Sequence, residues 1–319
     1  MISKLAINLV EILAQIRQKI ISLVEDEWQE LGKVVDEILD DPLNPTAIIP
    51  IATGISIGAK IDDLIAVAAS VTLISLSFRI VDDCIDMDAP DGLYQSLGVG
   101  RAINYAMALN AVATREFINF KLPSDNLEGL LRDYFYSFLQ VCQGQDKDIS
   151  QTINSLDEYR EIVNLKTVKA YQFATAIASY LSACDADIIA LCVQCGTHLG
   201  WMTQILDDIE SLWFPVTENI REIEKKTFPV LLGLTLEHPN AQKLASLFHK
   251  QEYNRIKICE LLDEMEVRTR LMNIALDHRD QAIKSLAKLP NPEGSNILQL
   301  WLDWYLRNGE LLLQPVVRN

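Results

Sequence analysis

From Leu64 to Phe78 the chain is among its most apolar stretches, and it then runs into three carboxylates, Asp82, Asp83 and Asp86. Ile61 to about Met87 reads as one long helix, stopped by Ala89-Pro90-Asp91-Gly92. On a helix Asp82 and Asp86, four residues apart, share one face. Their repulsion amounts to ~4 kcal/mol at 4 Å where the effective dielectric is about 20. The same charges sit at the wrong end of the helix dipole. Arg79 and Arg101 are the only Lys or Arg from Ile61 to Thr114. A divalent cation is the economical counter-charge, because hard ions such as Mg2+ prefer carboxylate oxygens.

Helical periodicity runs through the rest of the chain. Leu5, Leu9, Leu13, Ile16, Ile20 and Leu23 form one stripe, broken by Asp40-Asp41-Pro42-Leu43-Asn44-Pro45. A helix from near Leu97 to Phe120 is closed by Leu122-Pro123-Ser124-Asp125, and Asn126 to Gln143 continues until Gly144-Gln145-Asp146-Lys147-Asp148 interrupts it. Leu156 to Leu181 and Ala186 to about Leu212 carry few polar positions and read as helices buried on most sides. Beyond Pro215 the elements are shorter and more charged, ending in a Trp/Leu-rich helix from Asn296 to Leu313. No β alternation of useful length and no linker is found, so residues 1–319 read as a single all-α domain. With 49% hydrophobic residues and only 13 Gly and 11 Pro, long helices around a large core are favoured over a loop-rich β protein.

The net charge of −16 argues against nucleic acid and anionic membranes as partners. The N-terminus reads as an amphipathic helix and not a signal peptide, and no uninterrupted apolar run reaches the roughly 18 residues of a membrane span. Cys192 and Cys195 form a C-x-x-C inside an apolar run with no second pair, which reads as core. Reduced thiols fit a soluble, cytoplasmic protein. His198, on the same apolar helix, reads as a core histidine.

A second acidic cluster, Gln204-Ile205-Leu206-Asp207-Asp208-Ile209-Glu210-Ser211, ends another core helix. Lys166-Thr167 lies in an apolar helix, and Lys226-Thr227-Phe228-Pro229 follows the second cluster. Lysines are costly to bury without an anion. A diphosphate held jointly by carboxylate-bound Mg2+ and lysines satisfies both sets of residues.

On these residues the chain resembles the trans-isoprenyl diphosphate synthases, the polyprenyl synthase family of the class I terpene-synthase fold. Asp82-Asp83-x-x-Asp86 resembles the first aspartate-rich motif and Gln204-x-x-Asp207-Asp208 the second. Gly144-Gln145-x-x-Asp148, Lys166-Thr167 and Lys226-Thr227-x-Pro229 resemble the family's G-Q-x-x-D, K-T and K-T-x-P elements, in the family's order. The resemblance covers roughly Ile61 to Leu236. It implies an antiparallel α-bundle around a deep apolar pocket and an allylic prenyl diphosphate as substrate. It also implies Mg2+, three ions, held by Asp82, Asp86 and Asp207, with Asp83 and Asp208 in support and Ser211 as a hydroxyl ligand. Lys166 and Lys226 would grip the leaving diphosphate, with Gln145, Thr167 and Gln204 at the substrate. Ser77 and Phe78 lie about one helical turn before Asp82, where the family places chain-length stoppers, implying a prenyl chain of about C15 to C20. Tyr171, Phe173 and Trp201 are candidates to line the pocket and face a carbocation. The family also implies a homodimer.

One departure bears on the reaction. Chain-elongating members carry a basic element near the N-terminus and an Arg pair after the first aspartate motif, both for a second diphosphate. Here Asn44 to Pro50 and Asp86 to Tyr94 contain no basic residue. The expected reaction is therefore ionisation of one allylic diphosphate to a terpene without isopentenyl diphosphate. The alternatives are prenyl transfer to isopentenyl diphosphate or another acceptor, and a non-catalytic subunit of a heteromeric synthase. Intact metal motifs favour an enzyme.

Overall fold

The computed structural model describes residues 2–39, 45–87, 89–150, 153–182, 184–215 and 223–311. The breaker Asp40 to Asn44, Asp88 and the last residues of the expected terminal helix, Leu312 and Leu313, lie outside them. The described helices are α1 (Ile2–Glu25), α2 (Gln29–Ile38), α3 (Pro45–Ser56), α4 (Ile61–Asp86), α5 (Leu93–Leu97), α6 (Val99–Asn119), α7 (Ser124–Ser150) and α8 (Leu156–Val163). A π-helical turn (Asn164–Val168) joins α8 to α9 (Lys169–Ala176), and a 3-10 turn (Ile177–Leu181) follows. Then come α10 (Ala186–Trp213), α11 (Phe228–Thr235), α12 (Pro239–His249), α13 (Arg255–Glu264), α14 (Val267–Leu286) and α15 (Pro292–Leu311). Among the described residues there is no strand, and the fold class is all-α as expected.

The chain divides into two compact units, each discontinuous in sequence. The first comprises Met1–Phe135, Gln172–Cys195 and Ile283–Leu302; the second comprises Tyr136–Tyr171, Gly196–Ala282 and Asp303–Asn319.

In the first unit α4 packs mainly on α6 and α3. Leu64, Val67, Leu73 and Ile74 of α4 are buried, as are the small Ala68 and Ala69, and α6 answers with buried Ala102, Ala106 and Ala113. Each large aliphatic side chain so buried contributes about 1.5–3 kcal/mol. By length and composition α4 could cross a bilayer, but 67% of its most apolar window is buried inside the fold, which makes it a core helix. Its buried hydroxyls are satisfied locally: Thr72 donates to the Ala68 carbonyl at 2.8 Å and Ser77 to the Ile74 carbonyl at 2.7 Å. Phe117, Phe120, Tyr134 and Phe173 form an aromatic cluster with centroids 5.3–6.2 Å apart. Beside it Glu116 is buried, held by Lys19 at 2.8 Å and by Asn119 at 2.8 Å. The buried Cys192 and Cys195 are free thiols whose proton affinity burial raises, in line with a core role.

Two elements differ from the sequence expectation. The segment Gly144 to Asp148 does not interrupt its helix; α7 runs unbroken to Ser150. The segment from Leu156 to Leu181 is not a uniform α-helix, because it widens into the π turn and then tightens into the 3-10 turn. The two differing segments meet at Gly144. A Cβ on Gly144 would lie 2.5 Å from the Lys166 backbone nitrogen, so this glycine lets α7 pass directly against the π turn.

Candidate active site

The acidic end of α4 belongs to the first unit. Asp82, Asp83 and Asp86 occupy its last two turns, each half-buried, and no basic residue lies in its last turn. Met87 ends the helix in the left-handed conformation (φ 58°), its N–H bonded to the Asp83 carbonyl at 3.0 Å. Ser77 is buried and Phe78 half-buried on the same helix. The cations nearest in sequence are turned elsewhere. Arg79 is exposed and reaches the Ile38 carbonyl at 3.4 Å, and Arg101 pairs with Glu30 at 2.9 Å and bonds the Tyr105 hydroxyl at 2.8 Å. Lys60 precedes the first residue of α4, at the end of that helix remote from Asp82.

The second unit gathers most of the remaining candidates around α10. Positions 201, 204 and 208 share a helix face, since steps of three, four and seven residues superpose. Asp208 is buried and its carboxylate is fully engaged. It accepts from Tyr159 Oη at 2.6 Å and from the Phe228 N–H at 3.0 Å on one oxygen, and from Gln204 Nε2 at 3.0 Å on the other. Burial pushes its pKa up to about 6, against the downward pull of these three donors. Gln204 in turn accepts from the Thr167 hydroxyl at 2.6 Å. Asp208 thus ties the second acidic motif, the π turn and the N-terminus of α11 together, where a carboxylate also suits the helix dipole. Pro229 falls in the first turn of α11, where its missing N–H is not needed.

Asp207, next in sequence, is exposed, and Ser211 is half-buried with its hydroxyl on the Asp208 carbonyl at 3.3 Å. The two aspartates therefore differ in kind: Asp208 binds the fold together, while Asp207 faces outward. The Tyr171 hydroxyl bonds Thr203, and burial pushes its pKa up to about 12. Tyr305 of α15 lies within electrostatic reach of Asp207, Tyr171 and Glu210, and burial raises its proton affinity.

The lysines are arranged by the π turn and by the approach to α11. Lys166 Nζ lies 3.1 Å from Asp148 on α7, and Lys225 Nζ lies 3.6 Å from the same carboxylate oxygen. Lys226 goes elsewhere, to Asn154 Oδ1 at 3.1 Å and over the Phe248 ring at 5.9 Å. Lys226 is in the left-handed conformation (φ 53°), a tight turn that makes successive side chains diverge. Gln145 is half-buried on α7, one turn before Asp148. The π turn is held on both sides by glycines. Beside Gly144 of α7, Gly200 of α10 is so close that a Cβ would stand 2.8 Å from the Val168 Cα. Wide turns of this kind recur at functional sites.

Trp201 packs against Tyr159 and Phe228 (centroids 6.4 and 6.5 Å) and lies parallel to the His278 ring at 6.1 Å. Its indole N–H donates to Asn164 Oδ1 at 3.2 Å. Phe173 belongs to the aromatic cluster of the first unit. Sequence reasoning missed Tyr159 and Lys225. Their signals were a tyrosine on the buried face of α8 and a second lysine adjoining Lys226.

Among the described residues no three His, Cys, Asp or Glu side chains converge on one point. The half-buried carboxylates of Asp82, Asp83 and Asp86 at the end of α4 suit a hard ion such as Mg2+, which keeps several waters and binds through one or two carboxylates and substrate phosphate oxygens.

A helical fold of this kind is shared with known isoprenyl diphosphate synthases. The geranylgeranyl pyrophosphate synthetase of Pyrococcus horikoshii aligns with TM-score 0.80 at 19% identity, covering 99% of each chain. The polyprenyl synthase of Caulobacter crescentus, solved with calcium and isoprenyl diphosphate, aligns with TM-score 0.79 at 18% identity, covering 95% of this chain and 97% of that one. Residues 45–265 match the model of the polyprenyl synthetase family, and the chain belongs to that family. Among curated relatives, the decaprenyl-diphosphate synthase of Dictyostelium discoideum is 28% identical over 162 residues, 47% of this chain and 34% of that protein. The geranylgeranyl diphosphate synthase of Saccharolobus solfataricus is 27% identical over 254 residues, 70% of this chain and 73% of that protein. The match to the first of these thus spans about a third of its length.

Proposed function

We propose that the chain is a Mg2+-dependent prenyltransferase of the polyprenyl or geranylgeranyl diphosphate synthase type. It ionises an allylic prenyl diphosphate and passes the prenyl group to isopentenyl diphosphate or another acceptor. The supporting observation is the pairing of Lys166 and Lys225 on one Asp148 oxygen, two ammonium groups on one carboxylate within electrostatic reach of Asp208. Ammonium groups form charge-assisted hydrogen bonds to phosphate oxygens, and two of them gathered at one carboxylate suit a diphosphate. Lys225 therefore takes the gripping role beside Lys166, in place of Lys226.

In this reading Asp82 and Asp86, with Asp83 in support, hold Mg2+ at the end of α4, and Asp207, with Ser211, holds Mg2+ at the end of α10, where Asp208 gives support through its internal hydrogen bonds. Bound Mg2+ supplies electrostatic stabilisation of charge on the departing diphosphate. Lys166 and Lys225 add to it as the C–O bond breaks, an effect strongest where water is excluded. Asp148 holds the two ammonium groups in place beforehand, which spares reorganisation during the reaction. Thr167 and Gln145 orient the diphosphate end, and Phe78 with Ser77 limits the prenyl chain to about C15 to C20, one helical turn from Asp82. The chain acts as one catalytic domain. The exposed stripe Val99, Ile103 and Met107 on α6, at four-residue steps, supports a homodimer. Six free cysteines are in keeping with a reducing, cytoplasmic compartment.

A second reading, acceptor-free ionisation to a terpene, is favoured by one observation: Arg79 and Arg101 are directed to Ile38 and Glu30. Incubation with Mg2+ and geranyl, farnesyl or geranylgeranyl diphosphate, each with and without isopentenyl diphosphate, separates the two. Longer diphosphates formed only with isopentenyl diphosphate support prenyl transfer. Hydrocarbon or alcohol from the allylic substrate alone supports the second reading, and no turnover in any arm sinks both.

A further inference from the structure

His198 on α10 and His278 on α14 face each other with their Nδ1 atoms 3.0 Å apart. At that distance one ring donates and the other accepts. A single added proton is compatible with this contact, because an imidazolium can still donate Nδ1–H to a neutral partner. A second added proton is not, since two N–H groups and two like charges would then meet head on. Burial opposes protonation of both rings; His198 opposes it further at His278, while Asp277 on α14 favours it there.

The pair is in contact with the π turn through one aromatic residue. His278 lies parallel to Trp201, with 16° between the ring planes, and Trp201 donates to Asn164, the first residue of the turn. Two and three residues on stand Lys166 and Thr167, bonded to Asp148 and Gln204. The side chains along this route are His198 and Trp201 from α10, Asp277 and His278 from α14, and the neutral Asn164. Tyr159 and Phe228 pack on the same indole ring.

We propose that Trp201 and His278 are positioning residues for Lys166 and Thr167, and that double protonation of the His198–His278 pair loosens the grip of these residues on a diphosphate. The inference rests on the reading that Lys166 binds diphosphate. It adds a control of that site from residues outside every motif named above.

The test uses the full chain with Mg2+ and inorganic diphosphate, titrated calorimetrically from about pH 8 down to about pH 4, because burial and the second ring push protonation of the pair below the ordinary histidine range. Dividing wild-type affinity by that of His278→Gln at each pH cancels the ionisation of the ligand itself. The ratio is expected to fall about tenfold on acidification, the equivalent of one pH unit of coupling. His198→Gln serves as the second variant should His278→Gln fail to fold by circular dichroism. Trp201→Phe keeps a ring on His278 but removes the N–H to Asn164; it is expected to weaken binding at pH 8 and to flatten the profile. A ratio constant with pH, or wild-type affinity and profile in Trp201→Phe, overturns the proposal. A ligand-free readout keeps it separate from the functional reading. The indole 1H–15N resonance of Trp201 should move with pH in wild type and stay fixed in His278→Gln, and an immobile wild-type resonance overturns the proposal. Failure of the functional reading shows differently, as Lys166→Ala binding diphosphate as tightly as wild type; that result also overturns the assigned route through Lys166.

Discussion

Replacing Tyr159 by Phe removes one oxygen from the centre of the second unit and leaves the ring packed on Phe228 and Trp201. The lost hydroxyl donates to the buried Asp208 carboxylate at 2.6 Å. Hydrogen bonds to charged groups contribute about 1.5–3 kcal/mol, against about 0.5–1.5 kcal/mol for neutral ones. Asp208 titrates at about 6, above its ordinary 3.8, so the folded state binds more protons than the unfolded state between those values. Stability therefore falls as pH rises through that window, by about 3 kcal/mol in total for this group. Tyr159 limits that cost by favouring the charged form, and its removal pushes the Asp208 pKa higher still. The variant should lose about 1.5–3 kcal/mol at pH 8, and only about 0.5–1.5 kcal/mol at pH 5, where Asp208 is protonated. Urea denaturation of metal-free protein at the two pH values, with matched m-values, measures the difference. Equal losses at both, or a loss below about 0.5 kcal/mol at pH 8, would refute the charge-assisted role given to Tyr159.

Other substitutions probe the remaining parts. Asp82→Ala should lower turnover by about 10²-fold or more in a diphosphate-release assay, as expected when an electrostatic stabiliser of the leaving group is removed. Lys225→Ala should raise the KM for the allylic diphosphate by about tenfold or more, and Lys226→Ala by clearly less, on the basis that a charged hydrogen bond contributes about 1.5–3 kcal/mol. Gly200→Ala should cost about 1–3 kcal/mol in a thermal melt, because its Cβ would press on the Val168 backbone of the π turn. In the first unit, Lys19→Ala leaves the buried Glu116 without its cation and should destabilise by about 1–3 kcal/mol; Glu116→Gln in the same background should recover part of that loss.

Much of the architecture was legible from local pattern. The stripe of α1, the long apolar α4 and the Ala-Pro-Asp-Gly stop follow from helical spacing and from residues that cannot continue a helix. That Asp208 and Lys166 find partners on other helices was legible too, because carboxylates and lysines in apolar surroundings demand them. Local pattern failed at Gly144, where a glycine read as a breaker serves instead as the contact point of two helices. It failed again at the π turn, since an i to i+5 widening leaves no mark in hydrophobic spacing when both flanks stay helical.

The sequence by itself determined an all-α chain with two acidic helix ends and lysines in apolar stretches, because those properties depend on composition and on spacing along a single helix. Only the tertiary structure decided which member of each pair does what. Asp207 and Asp208 are neighbours in sequence, yet a helix turns them about 100° apart, so one faces outward and the other accepts three hydrogen bonds inside. Lys225 and Lys226 are likewise adjacent, and the left-handed turn at Lys226 sends one to Asp148 and the other to Asn154. Such choices are set by which partner stands across the gap, and a partner from another helix is not written in the local sequence.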